Sequence, residues 1–407
     1  MLSKETIKNV ITSQREFLDS SEQGTLREES KEIKIEDSFA LIITGVRRCG
    51  KSTLMNQLLK KQKKGYYLNL EDPRLGGFDF SDFNKVEAIM KEIYGLRGVY
   101  FFDEIQNVPE WERFIRYLVD RKEKVVLTGS NASILSRELG TKLTGRHLSI
   151  ELFPFSFREF LNLKKQEPSI NSFEEYLAKG GFPEYIKGGN PEVLHELLRD
   201  IVMKDIAVRF GIKNTAILNK IVIYLISNVG KEFSYNSIKK MFEIKSVKSV
   251  IDYISFFENA YLVFTLPRFS YSYKQQQVNP KKIYSIDNGF SSNNSASFSK
   301  DYGKMLENVV FLNLRKKYKN IFYFQEKNEC DFIIKEKDKI TKAVQVCFDL
   351  NEDNKDREIN GLLEALEKFS LKEGIILTYK QDDEFKIKDK KIKVLPVWRW
   401  LVERKGN

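Results

Sequence analysis

The chain has 407 residues, of which 42% are hydrophobic, so we expect several domains, each with an ordinary apolar core. Lysine and arginine exceed aspartate and glutamate by 11, a bias that suits a polyanionic partner such as nucleic acid, although a high lysine content alone also produces it. Three scattered cysteines and two histidines exclude a disulfide framework and histidine-based catalysis, and the lack of a signal peptide or a long apolar run predicts a cytoplasmic protein without a membrane span.

The first part of the chain alternates between short apolar runs and helix-like segments. Ile7, Val10, Ile11 and Phe17 have the spacing of one helix face, which predicts a leading helix. Five strand-like runs follow, at residues 40–44, 66–70, 99–102, 125–128 and 147–152. This alternation indicates an α/β fold with a largely parallel sheet.

The rest of the chain divides into three further patterns. A helical stretch that is interrupted by a turn at 180–183 predicts a lid over a ligand on the sheet. Three helical stretches and two strand-like pieces follow, and a Ser/Asn-rich run separates them from a compact α/β pattern. The predicted organisation is a core at 1–156, a helical lid at 157–212, a helix-rich module at 213–290, a linker at 291–299 and an α/β domain at 300–407.

A phosphate-binding motif follows the first apolar run. Residues 45–52, GVRRCGKS, fit the pattern G-x-x-x-x-G-K-[ST]. In this pattern backbone N–H groups point at phosphates, the lysine reaches the β and γ phosphates, and the serine hydroxyl binds magnesium. The sequence therefore predicts ATP and Mg²⁺ as cofactors. The predicted nucleotide-binding residues are Gly45, Val46, Arg47, Arg48, Cys49, Gly50, Lys51, Ser52 and Thr53.

Two adjacent acids end the third strand-like run. Asp103 and Glu104 follow four apolar residues, at the carboxyl end of a strand, where ligand sites of parallel sheets lie. Alone, this pattern is more typical of a buried strand with a solvated acidic end. The phosphate loop upstream favours a catalytic interpretation, in which Asp103 holds magnesium together with Ser52 and Glu104 is the general base.

Polar and basic residues after the fourth run are candidates to complete the site. Asn131 or Ser130 is predicted to contact the γ-phosphate or the attacking water, the alternative being a simple turn at a helix start. Arg137 and Arg146 are candidates for an arginine finger across a subunit boundary, with Arg146 preferred. The alternative for each is a surface or salt-bridged arginine.

Six motifs occur in order over about a third of the chain, at 45–52, 69–74 (NLEDPR), 102–106 (FDEIQ), 127–130 (LTGS), 152–159 (LFPFSFRE) and 180–183 (GGFP). Together they resemble the prokaryotic AAA-type ATPases, common in archaea, that carry a C-terminal winged helix and a PD-(D/E)xK nuclease-like domain of uncertain function. The resemblance implies a P-loop core of the ASCE/AAA type and ATP hydrolysis that depends on a homo-oligomer. It implies no substrate.

Residues 234–261 have the spacing of a helix-turn-helix, with a short first helix and a second helix whose apolar face turns inward. Residues 271–282 are predicted to form the wing, with Lys281 and Lys282 among its basic residues. The alternative is a winged helix that serves only as a packing module. The lysines predicted to contact DNA phosphates are Lys239, Lys240, Lys245 and Lys248.

After the linker, the order helix, strands, helix, strand is similar to the PD-(D/E)xK nuclease core. Glu307, Asp331 and Gln345 take the three metal-binding places, and glutamine keeps an oxygen that can face a metal. Cys347 stands where such enzymes have a lysine, and a thiol cannot replace its positive charge. We therefore predict a vestigial nuclease site that has been retained for binding. Two nearby lysines are candidates to supply the missing charge, Lys327 and Lys342.

These observations favour an AAA-type ATPase that couples turnover to nucleic-acid or partner-protein binding through its C-terminal half. Two other functions stay open. One is a metal-dependent DNA endonuclease that ATP regulates, and the other is a slow ATP-dependent signalling switch whose winged helix packs within the molecule.

Overall fold

The computed structural model describes residues 2–129, 145–296 and 301–403, and divides into two compact units, Met1–Phe153 and Pro154–Asn407. Within these ranges no helix has both the length and the apolar composition needed to cross a bilayer.

A five-stranded parallel sheet forms the centre of the first unit. Its order is β2-β3-β4-β1-β5, and every neighbouring pair is parallel. All five predicted strands are present, so the predicted α/β fold is confirmed. The strands are β1 (Ala40–Gly45), β2 (Gly65–Asn69), β3 (Val99–Asp103), β4 (Val125–Gly129) and β5 (His147–Leu152).

Helices and aromatic side chains enclose this sheet. On one face Phe83 stacks on Phe114 with ring centroids 4.4 Å apart, and Ile7 belongs to the same buried cluster. The leading helix forms as predicted, but Phe17 is 70% exposed, so the apolar face ends before this residue. The helices are α1 (Lys4–Ser20), α2 (Lys51–Lys60), α3 (Phe83–Tyr94) and α4 (Trp111–Asp120).

The second unit begins with helices on both sides of the predicted turn. Gly180 has a φ of 71° and lies against Asp287, whose carboxylate leaves no room for a Cβ there. The backbone N–H of Gly181 donates to Asp287 Oδ2 at 2.6 Å. Burial raises the pKa of Asp287 to about 7. The helices are α5 (Phe157–Lys164), α6 (Ile170–Lys179), α7 (Pro183–Gly188) and α8 (Glu192–Asp200), followed by a π-helix (Ile201–Val208).

A small three-stranded antiparallel sheet comes next. Three helices precede its second strand, and a fourth helix lies between its second and third strands. Its strand order is β6-β8-β7. The stretch predicted to be a basic wing contains a helix, and Lys281 and Lys282 are buried, so the prediction that these two lysines belong to an exposed wing is wrong. The elements are α9 (Thr215–Ser227), β6 (Glu232–Phe233), α10 (Tyr235–Met241), α11 (Val247–Asn259), β7 (Val263–Pro267), α12 (Tyr273–Val278) and β8 (Lys281–Ser285).

The predicted linker at 291–299 is also wrong over its first residues. They belong to helix α13 (Asn288–Asn294), in which Phe290 is fully buried. Asp287 caps this helix by accepting from the N–H of Phe290 at 2.9 Å, so a polar run becomes ordered by its cap and one apolar anchor. Residues 297–300 lie outside the described ranges.

A six-stranded mixed sheet ends the chain, in the order β13-β14-β12-β11-β10-β9. The helix, three strands, helix and strand expected from the sequence occur in that order, and an antiparallel β13–β14 pair extends the sheet. The elements are α14 (Tyr302–Lys317), β9 (Ile321–Gln325), β10 (Glu329–Glu336), β11 (Lys339–Val346), α15 (Lys355–Lys368), β12 (Glu373–Thr378), β13 (Asp383–Ile387), β14 (Lys390–Pro396) and α16 (Val397–Val402).

Candidate functional site

The loop between β1 and α2 has the backbone that its two glycines predict. Gly45 has a φ of 149°, and a Cβ added there would lie 2.1 Å from the carbonyl oxygen of Leu152. Gly50 has a φ of 98° and is the residue from which α2 begins. Both positions therefore require glycine, and the loop ends at a helix N-terminus, which favours anion binding.

Lys51 is only 5% exposed although it carries a charge. Its Nζ donates to the carbonyl oxygens of Gly45 at 3.2 Å and Val46 at 3.1 Å. In the described ranges Lys51 forms no ion pair, so its charge is solvated by neutral oxygens only. Ser52 is exposed and Thr53 half-buried in the first turn of α2. An ammonium group held across its own loop is available to an anion that binds there.

Arg27 braces this loop and was missed by the sequence interpretation. Its side chain is completely buried. Nη1 donates to the carbonyl oxygen of Cys49 at 2.6 Å, and Nη2 donates to that of Phe153 at 2.8 Å. One guanidinium thus connects the phosphate loop to the residue after β5. Arg27 lies in a charged connector, where nothing in the sequence distinguishes a buried arginine from an exposed one.

The two acids at the end of β3 differ in their surroundings. Asp103 is 1% exposed, and its Oδ2 accepts from the hydroxyl of Tyr67 at 3.1 Å. The hydroxyl of Thr128 donates to Oδ1 of Asp103 and accepts from the backbone N–H of Glu104 at 2.9 Å. Thr128 therefore orients both acids. The sequence interpretation chose Ser130 and Asn131 after it and overlooked Thr128.

Glu104 has a left-handed backbone conformation and a side-chain pKa that is raised above its usual value. Its φ of 51° lies in the left-handed region, which a non-glycine residue adopts at a cost in energy. Burial raises the pKa of Glu104, and the nearby charge of Lys51 opposes this shift. Its Oε2 accepts from the side-chain amide of Gln106, whose Oε1 is buried without a hydrogen-bond partner. A half-buried carboxylate on a strained backbone, beside a buried acceptor that has no partner in the described residues, is typical of a functional site.

Of the remaining predicted residues of this site, Arg146 lies within the described ranges. Ser130, Asn131 and Arg137 lie outside the described ranges. Arg146 lies at the amino end of the sheet, because its carbonyl oxygen accepts from the N–H of Ala40 at 3.1 Å, and it pairs with Asp120. The phosphate loop lies at the carboxyl end. Arg146 therefore does not reach the loop of its own chain, and its role across a subunit boundary stays a prediction.

The arginines inside the loop are held near its outer surface. Arg47 Nη1 lies 4.0 Å from Glu71 Oε1, and the side chain of Arg47 is 24% exposed. Arg48 has a φ of 63°. Neither observation assigns a phosphate contact to these two residues.

A second cluster of predicted residues lies in the C-terminal sheet. Glu307, Asp331 and Gln345 line one cavity of about 770 Å³. Lys327 also lines it, whereas Lys342 is exposed on β11 and does not. A lysine that the sequence interpretation had placed in the wing, Lys282, reaches the two carboxylates. Burial lowers the pKa of Lys282, but the charges of Asp331 and Glu307 outweigh this effect and raise it well above its usual value.

The four lysines predicted to contact DNA lie on or between α10 and α11. Lys240, Lys245 and Lys248 are exposed, and Lys239 is half-buried. In the part of the chain that the structure describes, none of the four forms an ion pair. Their charges are therefore available to a polyanion.

Comparisons with known proteins find matches to family models and to related chains. The family model of an AAA domain matches residues 37–161, and two models of domains of unknown function, DUF8612 and DUF4143, match residues 170–298 and 302–400. The uncharacterized protein MJ1544 of Methanocaldococcus jannaschii is 36% identical in an alignment 401 positions long, which covers 91% of this chain and 89% of that protein. An uncharacterized protein of Haemophilus influenzae is 31% identical in an alignment 398 positions long, which covers 91% of this chain and 96% of that protein.

Similarity to solved structures is weak. AMPPCP-bound DnaA from Aquifex aeolicus aligns with a TM-score of 0.29 and 17% identity, over 57% of this chain and 86% of that one. A TM-score of this size carries no functional argument.

Proposed function

The chain belongs to the protein family of MJ1544 and carries an AAA domain, and from this premise we propose that it is a magnesium-dependent ATPase. The observation that carries the proposal is the arrangement at the carboxyl end of the parallel sheet. A glycine loop lies there with a buried lysine that forms no ion pair in the described residues, together with two acids that one threonine orients.

In this proposal the loop binds the triphosphate. Backbone N–H groups of residues 46–50 and the N-terminus of α2 solvate the phosphates, and Lys51 exchanges its two carbonyl partners for phosphate oxygens. Arg27 keeps the loop in the conformation that receives the anion. Since Lys51 has no carboxylate partner to give up, the exchange leaves no buried charge unpaired.

Ser52 and Asp103 are the residues that would hold magnesium, which supplies positive charge to the phosphate oxygens. The donor set fits this ion, because both are oxygen ligands and magnesium keeps several of its waters. In the described residues the oxygens of Asp103 accept from the neutral hydroxyls of Tyr67 and Thr128. Each carboxylate oxygen has a second lone pair for a water molecule.

Glu104 is the proposed general base. Its carboxylate accepts a proton from the attacking water, and its raised pKa increases its strength as a base while it is ionised. Thr128 holds its backbone in the strained conformation that aims the side chain. Asn131 is proposed to position the water or the γ-phosphate, and Arg146 of another subunit is proposed as the finger.

Steady-state hydrolysis and equilibrium binding of a labelled ATP analogue test this function. We expect wild type to bind the analogue only with magnesium, and Glu104→Gln to bind it normally while turnover falls by roughly 10²–10⁴-fold. Glu110→Gln is a matched control, because Glu110 is also a glutamate with positive φ but is exposed and paired with Arg113. Normal hydrolysis by Glu104→Gln would show that another group is the base.

We also propose that residues 213–290 form a winged helix that binds nucleic acid and so couples turnover to it. Support comes from the order helix, strand, helix, helix, strand, helix, strand and from the four lysines of α10, α11 and their connection, which form no ion pair in the described residues. Contacts of these lysines with phosphates would be independent of sequence and sensitive to salt.

Duplex-DNA binding as a function of salt tests this coupling. We expect Lys248→Ala to reduce the slope of log affinity against log salt by about 1. Lys388→Ala is the control, since Lys388 is exposed on the turn before β14 and pairs with Glu367. If wild type fails to bind DNA at low salt, the slow signalling switch becomes the better hypothesis.

A further inference from the structure

The cavity at the ends of β10 and β11 is where a PD-(D/E)xK nuclease would hold its metal ion. Glu307 comes from α14, Asp331 from β10 and Gln345 from β11. All three side chains are buried, with 4%, 5% and 6% exposure. Whether they fit a divalent cation depends on what their oxygens already contact.

An ammonium group lies between the two carboxylates. Nζ of Lys282 is 3.2 Å from Glu307 Oε1, 2.8 Å from Asp331 Oδ1 and 2.7 Å from Glu329 Oε1. Lys282 is only 2% exposed, so water contributes little to the solvation of its charge. These contacts have the length of charge-assisted hydrogen bonds, and they occupy the space that a bridging cation needs.

Each oxygen of the two carboxylates has a donor in the protein. Glu307 Oε1 also accepts from the hydroxyl of Tyr284 at 2.7 Å, and Oε2 accepts from Nζ of Lys304 at 2.8 Å. Asp331 Oδ2 accepts from the N–H of Val346 at 3.0 Å. Each of these two buried carboxylates therefore already has an ammonium group as its counter-ion, and the third carboxylate on Lys282, that of Glu329, is 35% exposed.

Gln345 is turned away from the metal-binding role that the sequence predicts. Its Oε1 accepts from the N–H of Asp331 at 3.1 Å, and its Nε2 donates to Glu358 Oε2 at 2.6 Å. This network determines which end of the amide is oxygen, because one neighbour is a donor and the other an acceptor. The expectation that Gln345 presents an oxygen to a metal is therefore wrong.

Strand β8 holds Lys282 in place. Tyr284 lies two residues along, on the same face of the strand, and its ring stacks on Phe311 of α14 with centroids 4.1 Å apart. Phe311 follows Glu307 by one helical turn, so the stack and the ion pair join the same two elements. Lys282 is therefore held by its ion pairs and by the packing of Tyr284 next to it, and it is not a mobile surface lysine.

We propose that the Lys282 ammonium group permanently takes the place of the divalent cation in this nuclease-like pocket. It joins the three-stranded sheet to α14 and β10, and the native protein binds no divalent cation between Glu307 and Asp331. Removal of the ammonium group uncovers a cation site.

Manganese binding to the nucleotide-free full-length protein tests the inference, with electron paramagnetic resonance and thermal unfolding as readouts. We expect wild type and Asp331→Asn to give the same manganese titration. Lys282→Met keeps an unbranched side chain that is one atom shorter and removes its charge. We expect it to have a lower thermal midpoint in EDTA, to bind one additional manganese ion and to recover part of the lost midpoint when the ion is present.

Two variants control for nonspecific effects. Lys281→Met changes the neighbouring buried lysine, whose Nζ donates to the carbonyl oxygens of Gln276 and Gln277, so manganese should not raise its midpoint. Lys282→Met combined with Asp331→Asn should lose the additional site. The proposal is overturned if wild type binds a manganese ion that Asp331→Asn abolishes, or if Lys282→Met gains no site. The wild-type comparison decides the question even if Lys282→Met does not fold.

Discussion

The nucleotide site and the C-terminal pocket contain the same kinds of groups and use them in opposite ways. Each has two acids near the ends of strands or helices and a lysine that is no more than 5% exposed. In the first, carbonyl oxygens solvate Lys51 and hydroxyl groups solvate Asp103. In the second, Lys282 pairs directly with Glu307 and Asp331.

The difference is that neutral dipoles leave a charge available and a counter-ion cancels it. A phosphate or a magnesium ion gains Coulomb energy from a charge that only dipoles solvate, in a region of low dielectric. Where lysine and carboxylate already neutralise each other, a ligand must first break a buried pair. The partners of the charged groups, and not their identity, therefore distinguish a binding site from a structural contact.

The strongest test replaces one carboxylate by its amide in each region. Asp331→Asn leaves buried ammonium charge under-compensated, and we expect the local unfolding free energy of β10 to fall by about 3 kcal/mol. Asp103→Asn should lower that of β3 by less than about 1 kcal/mol, because the hydroxyls of Tyr67 and Thr128 can rotate to suit an amide. Hydrogen exchange measured by mass spectrometry resolves both strands, and equal losses would contradict the comparison.

Removal of the unpaired lysine tests the availability of its charge. Lys51→Ala should weaken binding of the ATP analogue by about 3 kcal/mol, roughly a hundredfold, and leave folding unchanged. Fluorescence titration measures the affinity. Lys60→Ala is the matched control, because Lys60 is at the other end of α2 and donates to the carbonyl oxygen of Ser21 at 3.0 Å. An equal loss for both variants would argue against a direct phosphate contact.

Arg27 tests whether the bracing of the loop matters for binding. Arg27→Lys keeps the charge, but a single ammonium group cannot reproduce the planar fork that reaches both Cys49 and Phe153. We expect roughly tenfold weaker ATP binding, about 1.4 kcal/mol, with turnover at saturation little changed. Arg15→Lys, which changes an arginine bonded to the carbonyl of Gly65, should leave the affinity unchanged. A lower turnover at saturation would give Arg27 a different role.

The dependence of turnover on pH is the most modest test. Glu104 must be ionised to accept a proton, and burial raises its pKa above the usual 4.5. The rate of hydrolysis should therefore be highest above this raised pKa and should decline as the pH falls through it. The acid limb of the profile should be lost in Glu104→Gln. Initial rates at saturating ATP and magnesium measure the profile. An acid limb at or below 4.5 would contradict the buried environment of Glu104.

Local patterns were sufficient to predict much of the fold. The five strands of the first sheet and the helix and strand order of the C-terminal sheet appear where apolar runs end in turn residues. These features depend on neighbours in sequence, as do the two glycines that close the phosphate loop. The prediction of a linker was wrong because the buried ring of Phe290 and the helix cap by Asp287 are enough to order a polar segment.

Contacts between distant residues could not be predicted in this way. Arg27 reaches Phe153 across 126 positions, and Lys282 reaches Asp331 across 49. In the sequence both look like ordinary solvated cations. Lys281 and Lys282 were therefore assigned to an exposed wing, although one donates to carbonyl oxygens and the other pairs with carboxylates inside the molecule.

The amino-acid sequence alone determined the phosphate loop, the acids that follow β3 and the α/β architecture, since these depend on backbone conformation and on hydrophobic periodicity within short segments. The tertiary structure decided which charges stay available. A buried charge is unstable without a partner. Whether dipoles or counter-ions stabilise it depends on strands and helices that are far apart in the chain. For Lys51 the answer is a charge left available to the proposed nucleotide, and for Lys282 it is a closed ion pair.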